Sequence, residues 1–368
     1  MTSYERFLQV GISLDPIHVG TGGTRIGRID LTIVRDPVTQ IPKIPGSSLA
    51  GVYRTYVAME EHEKNPDRQV DGKDWPIYPN CAGLGQSQED KAKSEGEKKY
   101  RRGHCGKPNC PVCTVFGFAR GKDQAGGFAG LAAFTDAHLL FFPVPTRQGP
   151  VWVSCPMALQ LIGLEVASVD ESEAAVYLEY GSANQLNLGW LLLPVRACAD
   201  MGTITAQLRK LGIPDYITNR LALVPDRLFA HIVNSNLEVR TSVAIDPATG
   251  AAEEGKLFSY EALPRGTVLV WEIIAKNPKH FKVGGQDVSV TMDGGQMDAP
   301  EKVHQVTQKA HPYLKHLGIG GMGTRGMGRV KVVYSNVLPA TGPASCQGSG
   351  ASEQGAEQTE TQEEVSHD

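Results

Sequence analysis

Gly318-Ile319-Gly320-Gly321-Met322-Gly323-Thr324-Arg325-Gly326-Met327-Gly328-Arg329 separates two possible folds for this chain. It holds a formal GxGxxG at Gly318, Gly320 and Gly323. In a dinucleotide-binding domain that motif follows a strand and opens a helix, which receives the phosphates. Here residues 329–334 read as a strand, so the loop leads into a strand and the doubly wound nucleotide fold is excluded. What remains is a glycine-rich backbone with Arg325 and Arg329, suited to wrapping a phosphodiester chain.

Working back from the loop, Leu8, Val10, Ile12 and Leu14 alternate with Gln9, Gly11 and Ser13, the period of a half-buried strand. A second glycine loop, residues 20–27, follows with Arg25 and Arg28 near its end and His18 just before it. A second strand is expected next, with Ile29, Leu31 and Ile33 on one face and Asp30 and Thr32 on the other. Pro45-Gly46-Ser47 stops the chain, and Ser47 is placed to cap a helix. Leu49, Val52, Tyr53, Tyr56 and Val57 then recur at helical spacing, with Arg54 off that stripe. Further strands are expected at 131–144 and 267–275. Between these two strands, 241–261 reads as a hairpin turning at Asp246-Pro247-Ala248-Thr249-Gly250.

The composition is that of a folded protein, 41% apolar and 21% charged. The net charge of −4 is unevenly spread: residues 338–368 carry six acids and no Lys or Arg. With those six removed from 40, the rest has 34 acids against 36 basic residues, so charge neither favours nor opposes a nucleic acid. That tail lacks aromatic residues and cannot offset its ordering entropy, so disorder is expected there. The opening MTSYERFLQVGISLD is charged where an export signal needs an apolar run, and no segment nears the roughly 20 apolar residues that span a membrane. A cytoplasmic location is expected.

Four of the seven cysteines crowd between Cys81 and Cys113. Cys110-Pro111-Val112-Cys113 is a CxxC pair that bends two thiolates onto one ion; Cys105 is a third ligand, and Cys81 a fourth across the polar stretch 61–102. His104 is the alternative ligand. A polar insertion without a core needs such a staple, so structural zinc is expected over 61–113. No acid or base accompanies these ligands, which argues against catalytic zinc. On residue chemistry alone Asp30 is a turn former or ion-pair partner, and no paired carboxylates or Ser-His-Asp order stands out.

IPGSSLAG at 44–51, CPVCTVFG at 110–117 and the glycine loop at 318–328, in that order, resemble the RAMP proteins of CRISPR systems. AGLAAFTDAHLLFFPV at 129–144 and VAIDPATGAAEEGKLFSYEALPRGT at 243–267 narrow the resemblance to the backbone subunits of type III effector complexes, of the Cmr or Csm kind. The resemblance covers about 5–336 and leaves the subtype open. It implies an α+β, ferredoxin-like fold related to the RNA recognition motif, with large insertions, a zinc-stapled loop and a thumb-like hairpin at 241–261, within a domain spanning 1–337.

It further implies copies stacked in a filament along a guide (crRNA), with other type III subunits, pairing the guide with a target RNA. Asp30 falls where the family's target-cutting Asp lies, implying metal-assisted attack of a 2′-hydroxyl with Mg or Mn. Guide contacts implied are His18, Arg25, Arg28, Ser47, Ser48, Arg54, Gly320, Gly321, Gly323, Thr324, Arg325 and Arg329. Ala50 stands where the family often has lysine. The competing readings are a non-cutting RAMP subunit, a guide-processing endoribonuclease, and a zinc-stapled binding module without a guide.

Overall fold

The computed structural model describes residues 2–22, 29–70, 72–83, 103–119, 126–181, 184–292 and 295–337. Arg25, Arg28, residues 84–102 of the polar stretch and the acidic tail lie outside them. No helix among the described residues is long and apolar enough to cross a membrane.

Six elements form the frame: β1 (Tyr4–Ser13), α1 (Gly46–Lys64), β2 (Ala137–Val144), β3 (Val268–Lys276), α2 (Pro300–Gln308) and β4 (Val330–Val337). The strands lie in the order β4-β1-β3-β2, each antiparallel to its neighbour. This is the ferredoxin-like βαββαβ arrangement, in which each helix carries the chain over one intervening strand. The sheet then continues beyond β2 through Val151–Ser154, Leu221–Leu223, Val176–Leu178, Leu191–Ala197 and Gln185–Leu188, with parallel and antiparallel neighbours mixed.

Both faces of the frame are covered. On one, Leu49, Tyr53 and Val57 of α1 and Val303 and Val306 of α2 pack on Phe7, Leu139, Leu269 and Trp271. On the other, Leu8, Val10, Ile12, Val268 and Val270 meet Leu159, Ile162, Ile204 and Leu208. The alternation in β1 therefore does not mark a half-buried strand: Gln9 and Ser13, on its polar face, are as buried as Leu8 on the other. Gln9 folds back to donate to the Phe7 carbonyl at 3.1 Å.

Other boundaries also shift. The 131–144 run is two strands, Ala132–Phe134 and β2. Residues 29–35 do not form a continuous strand but an extended segment with isolated bridges to neighbours on several sides. α1 begins one residue before Ser47 and runs to Lys64, past the expected start of the insertion. Ser47 is thus inside the first turn and caps nothing; the carboxylate of Asp136 accepts the Gly46 N–H at 2.8 Å instead. Lys43 holds that carboxylate at 2.7 Å.

The hairpin is present, from Glu238–Ile245 to Ala252–Ala262, and forms a two-stranded sheet of its own. Its turn closes as the sequence suggests, with Asp246 accepting from Ala248 N–H at 2.8 Å and Gly250 N–H bonding back to the Asp246 carbonyl. Val239, Val243, Ile245 and Leu257 on it are exposed.

Candidate functional site

Because both sheet faces are packed, the sheet cannot serve as the open binding platform of an RNA recognition motif; groups able to meet a large ligand lie in loops at its edge. Three such segments converge. Tyr260 and Ala262 at the hairpin root, Met322 and Met327 of the glycine loop, and Leu31 beside Asp30 share a small apolar cluster with Phe258. This cluster fixes the three segments in one place.

The hairpin root also binds the Asp30 segment by hydrogen bonds. Asp30 Oδ2 accepts from the Ser259 backbone N–H at 2.7 Å and from the Ser259 hydroxyl at 3.0 Å. These bonds hold the Asp30 carboxyl below its usual range, the backbone N–H contributing most. Leu31 N–H donates to the Ser259 carbonyl, and Glu261 N–H to the Leu31 carbonyl. The Glu261 carboxylate, buried, accepts from Ile33 N–H at 3.2 Å and pairs with Arg35 at 2.9 Å.

His18 is buried against the same root, its Nδ1 donating to the Glu261 carbonyl at 2.6 Å. A carbonyl can only accept, so that nitrogen carries the proton. The His18 carbonyl in turn accepts from Gly321 N–H at 2.8 Å, tying His18 to the glycine loop.

The glycine loop is shaped by close backbone approach. Gly320 has φ +89°, and a Cβ there would collide with the His18 carbonyl oxygen. Gly326 also has a positive φ, +74°, but faces open space. Gly320→Ala is therefore expected to cost more than the roughly 1–3 kcal/mol of left-handed strain alone, whereas Gly326→Ala should cost only that. Thermal midpoints of the two variants check this; equal shifts would refute the close-approach account.

Arg325 donates to Ser242 Oγ at 2.9 Å and lies over the Phe258 ring, so the loop clasps the hairpin. Gly323 and Thr324 are exposed beside it. Arg329 pairs with Asp15, its Nη2 at 3.0 Å. Sequence reasoning missed two neighbours: the charges of Arg265 and Arg240 also help hold the Asp15 carboxyl below its usual range, after Arg329. The geometry explains Arg265, since Gly266 N–H bonds Ser13 and Leu14 N–H bonds the Arg329 carbonyl, bringing both arginines to one bend. The basic residues thus outnumber the acid they surround.

The remaining expected contacts lie elsewhere. Ser47 is exposed and Ser48 half-buried in the first turn of α1, which backs the glycine loop through the Tyr56 hydroxyl donating to the Gly318 carbonyl at 2.6 Å. Arg54 is not offered to a ligand: it donates to the Cys81 carbonyl at 2.8 Å and to His104 Nδ1 at 2.9 Å.

Those bonds brace a second site. The Sγ atoms of Cys81, Cys105, Cys110 and Cys113, all buried, lie within 4.8 Å of one another. Cys105 and Cys113 are 3.7 Å apart, and Cys110 and Cys81 4.0 Å. A zinc ion held at about 2.3 Å by four sulfurs separates them by roughly 3.8 Å, so the set fits. Cys110 ends one turn and Cys113 follows on the helix Pro111–Phe116, which is how CxxC places both sulfurs on one side. His104, the alternative fourth member, lies outside this set, with its Nδ1 accepting from Arg54 at 2.9 Å. Cys81 takes the place, across a gap the sequence left undetermined.

The RAMP superfamily model matches residues 13–331. A Pyrococcus furiosus protein named CRISPR system Cmr endoribonuclease Cmr4 is 25% identical over 343 residues, covering 88% of this chain and 94% of that one. In solved structures, a chain of the type III-B Cmr-beta complex bound to cognate target RNA aligns with TM-score 0.56 and 17% identity over 91% of this chain and 98% of its own. A chain of oligomeric Cmr4 from Pyrococcus furiosus aligns at 0.51 and 18% over 90% and 100%. The latter two share the fold. With its βαββαβ topology and a family match running from the end of β1 into β4, this chain belongs to the RAMP superfamily.

Proposed function

We propose that this chain is a guide-binding backbone subunit of a type III CRISPR effector that positions complementary target RNA and cuts it at Asp30. The observation that carries the reading is the convergence of glycine loop, hairpin root and Asp30 segment on one apolar cluster. That arrangement brings a flexible backbone, several arginines and a carboxylate within reach of one phosphodiester chain. The likeness to a relative named an endoribonuclease, over nearly the full length of both chains, supports it.

In this reading the guide backbone runs over the glycine loop, near Arg265, Arg325 and Arg329, with Ser47 and Ser48 at the start of α1. The hairpin reaches between guide and target, and its exposed Val243, Ile245 and Leu257 displace a base pair and leave a nucleotide unstacked. The 2′-hydroxyl of that nucleotide attacks its own phosphate and the bond to the next 5′-oxygen breaks. The products are a 2′,3′-cyclic phosphate and a 5′-hydroxyl. Asp30 accepts or directs the hydroxyl proton, and its oxygens are donors of the kind Mg or Mn takes. When bound there, such an ion would stabilise charge on the phosphate. Zinc at the four cysteines is structural.

Copies of the chain stack along the guide, joined by other subunits of the complex, in keeping with the oligomeric relative. Sequencing the RNA that copurifies with the protein, expressed beside its native locus, tests the reading. One class of uniform-length RNAs sharing a repeat-derived end is expected. Random fragments would return the glycine loop to an unidentified ligand.

A further inference from the structure

We propose that Ser259, on the return strand of the hairpin, is a positioning residue for Asp30; this rests on the cleavage reading above. The two residues are 229 apart in sequence yet share three hydrogen bonds. Ser259 N–H and hydroxyl both reach Asp30 Oδ2, at 2.7 Å and 3.0 Å, and Asp30 N–H returns to Ser259 Oγ at 3.3 Å.

This pattern does two things to the carboxylate. It fixes Oδ2 against the hairpin root, so rotation about the carboxyl bond is stopped. Among the described residues, the hydrogen bonds that other residues donate to the Asp30 carboxylate both fall on Oδ2. A carboxylate that must meet a hydroxyl proton or a cation with one oxygen benefits from losing the use of the other.

The bonds also tie Asp30 to the element that meets the RNA. Ser259 pairs with Thr241 on the opposite hairpin strand, and its neighbours Tyr260 and Glu261 hold Leu31, Ile33 and His18. Asp30 is therefore carried by the hairpin root, although it precedes that root by most of the chain. Displacing a nucleotide and aiming the carboxylate at it are done by one rigid piece.

Single-turnover cutting by the guide-loaded complex tests this, with Ser259→Ala, Ser259→Thr and Asp30→Ala compared. Losing one hydrogen bond to a charged group should slow cutting by about tenfold in Ser259→Ala. The acidic limb of its pH–rate profile should move to higher pH, because a bond that favours the ionised carboxylate is gone. Guide content should be unchanged, and Ser259→Thr, which restores the hydroxyl, should recover both rate and profile. If Ser259→Ala does not fold, Ser259→Cys, of similar size but a poor donor, is expected to show the same loss.

Wild-type rate and profile in Ser259→Ala, with Asp30→Ala inactive, would overturn the positioning role alone. A slower Ser259→Ala with an unmoved pH profile, unrescued by Thr, would assign it to structural damage instead. Full activity in Asp30→Ala would overturn the cleavage reading and this role with it.

Discussion

Asp30→Ala in the guide-loaded complex is expected to lower target cutting by roughly a thousandfold or more while leaving target binding within a few-fold of wild type. The asymmetry follows from where Asp30 sits. It is half-buried, and its described hydrogen bonds all go to Ser259 on the hairpin root. The root is also held by Leu31, Ile33, Arg35 and His18, none of which the substitution touches. The hairpin should therefore stay in place and still part guide from target. What disappears is the carboxylate that Ser259 holds at the hairpin root. Asp30→Asn, which keeps shape but not charge, should be nearly as inactive. Labelled target RNA resolved on a gel reads both variants, and end analysis reports the cyclic phosphate in the wild type. Cutting at an undiminished rate by Asp30→Ala would make the chain a non-cutting spacer in its complex.

The second large effect concerns the cysteine cluster. Wild-type protein is expected to carry about one zinc per chain, and Cys113→Ser to carry almost none, with a loss of stability of roughly 4–5 kcal/mol or more. The reason is electrostatic as well as geometric. Hydrogen bonds among the four thiols push Cys105 down and Cys110 and Cys113 up, so without a cation the buried group cannot ionise as a whole. Arg54 and Arg68 lie alongside, Arg68 at 3.5 Å from Cys105 Sγ, but they touch the edge of the cluster and not its centre. The cluster also belongs to the main core with Leu49, Val57 and Val112, so its collapse would reach α1. Elemental analysis and thermal melting with and without chelator check this. Absence of bound zinc in protein grown with ample zinc would mean the cysteines pack as thiols.

How far the sequence anticipated this depends on how local each cause is. The hairpin turn was legible because Asp246 and Gly250 close it through bonds within five residues. The CxxC was legible for the same reason, whereas the choice between Cys81 and His104 required knowing where Arg54 points. Ser47 failed as a cap because the group that meets the Gly46 N–H is Asp136, 90 residues away. The half-buried reading of β1 failed because period alone cannot tell an open face from one covered by a distant helix. The strands between residues 151 and 223 are only 3 to 7 residues long, too short for any alternation in them to stand out, so nothing announced that the sheet continues past β2. Asp30 is singled out in the sequence only by resemblance; its partner Ser259 lies on another element and leaves no trace in local pattern.

The placing of β1 also governs how the chain comes to be folded. Phe7 pairs with Val337 and Ile12 with Val268, so both edges of this strand wait for residues made more than 250 positions later. At about 5–20 residues per second, more than 250 residues take on the order of 13–50 s. For that time a strand with Phe7, Leu8, Val10 and Ile12 has neither neighbour available. Pairing of such long sequence separation is intrinsically slow, and the waiting strand is a template for sticking to other chains. Low-temperature expression is therefore expected to raise the soluble fraction, read as the share of the chain left in the supernatant.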